Sequence, residues 1–203
     1  MTVDEIMRTA PVIPVIVLGD KLNPARLAET LVEAGLPVIE VTLRTPGALQ
    51  AIKKMSEVPG AIVGAGTVLN EAQLARSIEA GSKFIVSPGL TNPMALAARD
   101  TGIAFLPGVA TASDIMRGLD LGLTRFKFFP AEASGGIPAI KALSAPFGEA
   151  RFCPTGGIRS DTAAEWLAIP SLLCVGGTWV VKPEDDDLQV IADRARAAAA
   201  LAA

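Results

Sequence analysis

The chain has 203 residues, 50% of them apolar and 19% charged, with a net charge of −3, which suits one full domain with a large core and provides no basic footprint for nucleic acid. It contains no histidine, no tyrosine and two cysteines. Imidazole catalysis, a phenolic acid and the usual His-rich zinc or iron sites are therefore excluded, and acid–base work falls to Glu, Asp, Lys, Cys or water.

At the amino terminus, Met1-Thr2-Val3-Asp4-Glu5-Ile6 lacks the basic-then-apolar order of a signal peptide. Thr2 with Glu5 reads instead as a capping box opening a short helix over 3–9. No later run reaches the apolar length of a membrane span, so a soluble, cytoplasmic protein is expected. Short apolar or alternating runs then recur at 12–17, 38–43, 62–66, 84–86, 104–106, 125–128, 151–154 and 172–175. Helix start signals fall between them: Asn23-Pro24, Thr45-Pro46, Asn70, Asn92-Pro93, Thr111 with Asp114, and Ser160 or Asp161. Gly35, Gly81 and Gly102 supply stops of the left-handed type. A helix over 137–145 and a closing helix over 187–201 complete the pattern. Eight strand–helix units predict a single-domain (β/α)8 TIM barrel over residues 1–203, with short flanking helices at both termini. The alternative, a doubly wound open sheet, lacks a G-x-G-x-x-G opening its first helix. Cys153 and Cys174 fall in predicted strands and read as buried thiols rather than a disulfide or redox pair.

Strand side chains in a barrel alternate between the interior and the helix layer. In the second strand Ile39, Val41 and Leu43 form the outward set, leaving Glu40, Thr42 and Arg44 inward. In the sixth, Phe126 and Phe128 point outward, and Lys127 and Phe129 inward. An ammonium is costly to bury, whereas an amine in such a place is a nucleophile that forms a Schiff base with a carbonyl. Lys127 and Glu40 then share one interior that barrels normally fill with branched apolar residues, which favours function over a structural ion pair. Arg44, near the carboxyl end of its strand, is placed either to clamp a substrate carboxylate or to form a rim salt bridge.

Two glycine pairs close the seventh and eighth strands, in Pro154-Thr155-Gly156-Gly157-Ile158 and Val175-Gly176-Gly177-Thr178. Each alone is explained by a tight turn; together, where barrels bind phosphate, they suggest a cup of backbone N–H groups. Gly64-Ala65-Gly66-Thr67 ends the third strand similarly, with Thr67 either donating to a carboxylate or capping a turn. Pro88 and Pro107 follow their strands as pocket wall or as turn signals.

Glu40-Val41-Thr42-Leu43-Arg44-Thr45, Gly64-Ala65-Gly66-Thr67-Val68, Ser87-Pro88-Gly89, Phe126-Lys127-Phe128-Phe129-Pro130-Ala131-Glu132 and Cys153-Pro154-Thr155-Gly156-Gly157-Ile158 resemble, in order, the class I 2-keto-3-deoxy-6-phosphogluconate (KDPG) and 4-hydroxy-2-oxoglutarate aldolases. The likeness runs from about Ile6 to Val181. It implies Lys127 as the imine-forming residue, Glu40 as general acid/base, and Arg44, Thr67, Pro88 and Phe129 around the pyruvyl end. It also implies phosphate binding by Thr155, Gly156, Gly157, Gly176, Gly177 and Thr178, the last standing where relatives carry serine. No metal or other cofactor is implied, the partners being a phosphorylated keto-acid substrate and two further copies in a homotrimer, with no nucleic acid and no membrane. A phosphogalactonate or 4-hydroxy-2-oxoglutarate aldolase, a barrel phosphosugar isomerase and a non-catalytic phosphometabolite-binding barrel are the alternative readings.

Overall fold

In the computed structural model, which describes residues 1–201, eight strands pair in parallel. They are β1 (Val12–Ile16), β2 (Val38–Thr42), β3 (Ile62–Gly66), β4 (Phe84–Ser87), β5 (Ala104–Val109), β6 (Arg125–Phe128), β7 (Arg151–Pro154) and β8 (Val175–Gly177). The sheet order is β7-β6-β5-β4-β3-β2-β1-β8, and isolated parallel bridges from Phe152 to Leu172 and from Thr155 to Gly176 bring its ends together. This is the (β/α)8 barrel. A doubly wound sheet would reverse its strand order at a switch point, whereas here the order follows the chain around until the two edges meet.

The helices are α1 (Val3–Arg8), α2 (Pro24–Glu33), α3 (Ala48–Ser56), α4 (Glu71–Glu79), α5 (Asn92–Thr101), α6 (Ala112–Asp120), α7 (Gly136–Ser144), α8 (Ala163–Leu167) and α9 (Leu188–Ala199). Thr2 and Glu5 form the anticipated capping box, as do Thr111 and Asp114, while Asn23 and Asn70 accept hydrogen bonds from the third backbone N–H of their helices. Among the described residues no helix is long and apolar enough to cross a membrane.

Four boundaries differ from the sequence reading. The eighth strand lies over Val175–Gly177 rather than 172–175, because ladder pairing with β1 begins only at Val175, opposite Val12. The apolar run before it is buried without being paired beyond the Leu172 bridge, so Cys174 lies outside the strand. The fifth strand continues through Pro107 and Gly108 to Val109, Pro107 pairing with Ser87. Neither Thr45 nor Asp161 caps a helix: α3 follows a turn closed by the Ala48 N–H donating to the Thr45 carbonyl, and the Asp161 carboxylate is taken by the Arg159 guanidinium.

Apolar burial is divided between two clusters. The larger lies between sheet and helices and includes Ile39, Val41, Phe126, Phe128 and Phe152. The smaller fills the lower barrel, where Ile13, Val38, Phe84, Val86, Leu106, Cys153 and Cys174 meet Ile6 and Met7 of α1. The amino-terminal helix is thus a plug: its apolar face shuts the bottom, and Asp4 accepts from the Arg125 guanidinium at the start of β6. Each fully buried aliphatic or aromatic side chain in such a floor stabilises by about 1.5–3 kcal/mol.

The closing helix packs on its own barrel through Ile191, Ala192, Ala195 and Ala198, and is pinned by a bidentate pair in which Arg194 donates to Asp185 at 2.6 and 3.1 Å. Burial pushes the Asp185 carboxyl up, but Arg194 and the Lys182 N–H outweigh it and hold the group below its ordinary value. A lowered folded-state value contributes stability present above about pH 4, the unfolded aspartate value, and lost as pH falls through the folded value. Asp185→Asn is accordingly expected to lose about 1–2 kcal/mol at pH 7, lowering Tm by roughly 2–8 °C in a domain this size. Thermal melts of both proteins should converge as the buffer is taken below pH 4; a constant gap down to pH 2 would contradict the assignment.

Candidate active site

Above the apolar floor the barrel interior turns polar. Alternation along β2 sends Val38 into the floor and Glu40 and Thr42 inward above it, while β6 sends Lys127 inward between two buried outward phenylalanines. Three strands separate β2 from β6 in either direction around the barrel, so the two charged residues face each other across its diameter. Lys127 Nζ donates to Glu40 Oε1 at 3.0 Å and to Oε2 at 3.3 Å. With the two residues 5% and 3% exposed, this is a buried ion pair, formed as the alternation anticipated. The Phe129 ring lies 5.3 Å from Nζ at its centroid, within cation–π range.

The remaining residues surround the mouth. Arg44 lies beyond the end of β2, exposed, and among the described residues makes no ion pair, so the rim salt bridge weighed for it is absent. Thr67 follows β3 with φ of 58°, a left-handed conformation uncommon for a residue other than glycine, and is half-buried. Such strain persists only where surrounding structure fixes it, here the hydrogen bonds from the Leu43 N–H to the Gly66 carbonyl and from the Val68 N–H to the Val86 carbonyl. Pro88 is exposed after β4, its carbonyl packed on Gly108, while the Ser87 hydroxyl donates to the Gly89 carbonyl at 2.7 Å. Thr42, inward as anticipated, commits its hydroxyl to the Ile16 carbonyl at 2.9 Å.

The two glycine pairs are not equivalent. Gly156 and Gly157 form a turn after β7 with φ of 102° and 86°. Gly176 and Gly177 belong to β8 itself, and Thr178 follows, exposed. Thr155 is buried, its hydroxyl lying over Gly176 and 3.9 Å from the Cys153 sulfur, which places it within the barrel wall. Cys153 pairs in register with Lys127. Both cysteines are free and buried, and a hydrogen bond to Cys153, then burial, push the Cys174 thiol well above its ordinary value. They are inert thiols, as the sequence suggested.

Two contributors escaped the sequence reading. Gly108, opposite Lys127 in the ladder, has no room for a Cβ, which would run into the Pro88 carbonyl; the signal for it was a Pro-Gly step inside a strand, which reads as a turn. Glu132 packs its Cβ and Cγ behind Gly157, at 2.7 and 2.6 Å from where a Cβ there would stand, a support visible only once the β6 and β7 loops are adjacent.

A model of the family described as KDPG and KHG aldolase matches residues 3–193 of the chain. The chain belongs to this family.

Among the proteins similar to it is the 2-dehydro-3-deoxy-phosphogluconate aldolase of Zymomonas mobilis ZM4, 55% identical over 198 residues, 98% of this chain and 95% of the relative. A crystal structure of the Zymomonas mobilis ZM4 aldolase with 3-phosphoglycerate superposes with a TM-score of 0.96 at 55% identity, covering 98% of this chain and 96% of the other. The KDPG aldolase of Legionella pneumophila, with pyruvate captured at low pH as a covalent carbinolamine intermediate, superposes at 0.94 with 40% identity, covering 98% and 99% of the two chains.

Removing one member of a buried pair leaves the other charge uncompensated and costs about 3–5 kcal/mol, whereas replacing both by apolar residues of similar volume is close to neutral. Glu40→Ala should therefore lose roughly 3 kcal/mol in urea unfolding, and Glu40→Leu combined with Lys127→Met should recover most of it. Equal losses in the single and double variants would show that the pair is not buried as described.

Proposed function

We propose that the chain is a class I aldolase cleaving 2-keto-3-deoxy-6-phosphogluconate to pyruvate and glyceraldehyde 3-phosphate, with Lys127 as nucleophile and Glu40 as general acid/base. The observation that carries this reading is the 3.0 Å contact between the Lys127 amine and the Glu40 carboxylate inside the barrel. Across that contact Glu40 takes a proton from Nζ, freeing the lone pair that attacks the C2 carbonyl. The carbonyl π-electrons move to oxygen, which is protonated to give a carbinolamine, and loss of water leaves an iminium. Pyruvate held as a carbinolamine in the Legionella relative supports this step.

Glu40 next removes the C4 hydroxyl proton. The C4–O electrons form the aldehyde carbonyl, the C3–C4 pair moves to C3, and the iminium nitrogen accepts the displaced electrons as an enamine. Glu40 returns the proton to C3, and water hydrolyses the pyruvyl iminium to restore Lys127. Lysine and substrate supply the electron sink, so the cycle needs no metal or other cofactor.

Arg44, unpaired among the described residues at the mouth, clamps the substrate carboxylate, with Thr67 and Pro88 lining the same end and Phe129 packing on the carbon chain. The backbone of Gly156, Gly157 and Gly177 and the Thr178 hydroxyl hold the phosphate, with Gly176 and the buried Thr155 shaping the wall behind. The relative with bound 3-phosphoglycerate supports a phosphorylated ligand. A single catalytic domain spanning the chain, a homotrimer and a cytoplasmic site of action complete the proposal through the same resemblance.

Borohydride reduction with pyruvate, followed by peptide mapping, is expected to place one pyruvyl adduct on Lys127. Lys127→Ala should lose the adduct and at least about 10⁴-fold in cleavage rate. No adduct on folded protein at saturating pyruvate would remove the imine mechanism. Light scattering should give three times the chain mass; a monomer that cleaves at full rate would remove the trimer from the proposal.

A further inference from the structure

The inner face of β3 carries two glycines, Gly64 and Gly66, separated by Ala65, which points into the outer core. Neither has φ in the left-handed region, so backbone conformation does not demand glycine at either position. Space does. A Cβ on Gly64 would stand 2.5 Å from three ring atoms of Phe84 in the floor. A Cβ on Gly66 would overlap Glu40 Oε1 and lie 2.7 Å from its Cγ and 2.8 Å from its Cδ.

The register gives this overlap its meaning. Glu40 is the ladder partner of Gly64, and Gly66 is the partner of Thr42. The Glu40 side chain therefore leans from its own level to that of Gly66, one pleat nearer the mouth, and rests in the space a side chain there would fill. From that slot its carboxylate meets Lys127 Nζ through both oxygens.

We propose that Gly66 is a positioning residue for the reaction: its missing side chain is the slot that holds the Glu40 carboxylate on Lys127, and it thereby sets the rate of the proton transfers made by Glu40. The inference rests on the aldolase reading above. Pre-organised placement of this kind separates fast from slow proton transfer, because a base must lie within hydrogen-bond reach of the proton it moves. The overlap falls on the side chain of Glu40 rather than on backbone, so a methyl group at 66 turns the carboxylate aside and leaves the barrel standing.

The test follows the methyl protons of pyruvate exchanging into D2O, a reaction that needs imine formation and then Glu40 as base, alongside KDPG cleavage. Gly66→Ala is expected to lose roughly 10²-fold in both exchange and kcat, with KM within about threefold, because the substrate contacts at the mouth are unchanged. Borohydride trapping of pyruvate on Lys127 should persist at saturation. In a Glu40→Ala background, which keeps neither the Cγ nor the carboxylate that the new methyl would meet, Gly66→Ala should cost less than about threefold of the residual exchange, a non-additivity that residues in contact display. Wild-type exchange in Gly66→Ala, or the same loss in both backgrounds, overturns the assignment. Should Gly66→Ala not fold, adding Glu40→Ala together with Lys127→Met, which removes what the new methyl meets without stranding a buried charge, restores folding, and failure to rescue overturns it. A wild-type protein that neither traps pyruvate nor cleaves the substrate sinks the aldolase reading itself, a result distinguishable from any outcome confined to the variants.

Discussion

A glutamate carboxylate and a lysine ammonium held together away from water are the constraint around which this barrel is built. Each charge alone would be costly to bury, and the pair survives because its geometry lets each partner satisfy the other. Such a contact cannot be made locally: the two residues lie on opposite strands, and only closure of the sheet fixes the distance between them. The eight-strand circumference is thus a chemical dimension as well as an architectural one. A barrel with more strands would leave room for water between the groups.

The rest of the interior accommodates that pair. Below it, Phe84, Val38 and the α1 residues Ile6 and Met7 exclude solvent; around it, buried phenylalanines on either side of Lys127 hold β6 against the helices. Glycine serves a different purpose from flexibility here. At Gly64 and Gly66 its value lies in the volume it leaves empty, whereas at Gly156 and Gly157 it permits a turn that other residues would strain to make. The same residue type thus answers packing in one strand and backbone conformation in one loop.

The fold and the central pair were legible in the sequence because both depend on period-two alternation, and alternation survives without knowledge of tertiary contacts. Lys127 between Phe126 and Phe128, and Glu40 between Ile39 and Val41, state their direction outright. The eighth strand was misplaced because an apolar run signals burial, and the residues at 172–174 are buried without forming a ladder. Gly176 and Gly177 were placed beyond the end of the eighth strand for a related reason: a strand that donates space instead of side chains looks like no strand at all. The start of α8 was missed because Asp161 has the chemistry of a cap but spends it on Arg159. Supporting contacts such as Glu132 behind Gly157 join loops distant in sequence, and no local pattern encodes them.

The plug formed by the first helix makes the barrel a well with one opening. In the proposed reaction the group held on Lys127 lies just above that floor, with the proposed cup of Gly156, Gly157 and Thr178 nearer the rim. A substrate cleaved between those positions yields an upper fragment that is free and a lower one that is tethered. The phosphorylated aldehyde must leave before the keto acid is released, and in synthesis the keto acid must enter first. In the proposed reaction, order of addition and release therefore follows from a covalent tether placed above a closed floor.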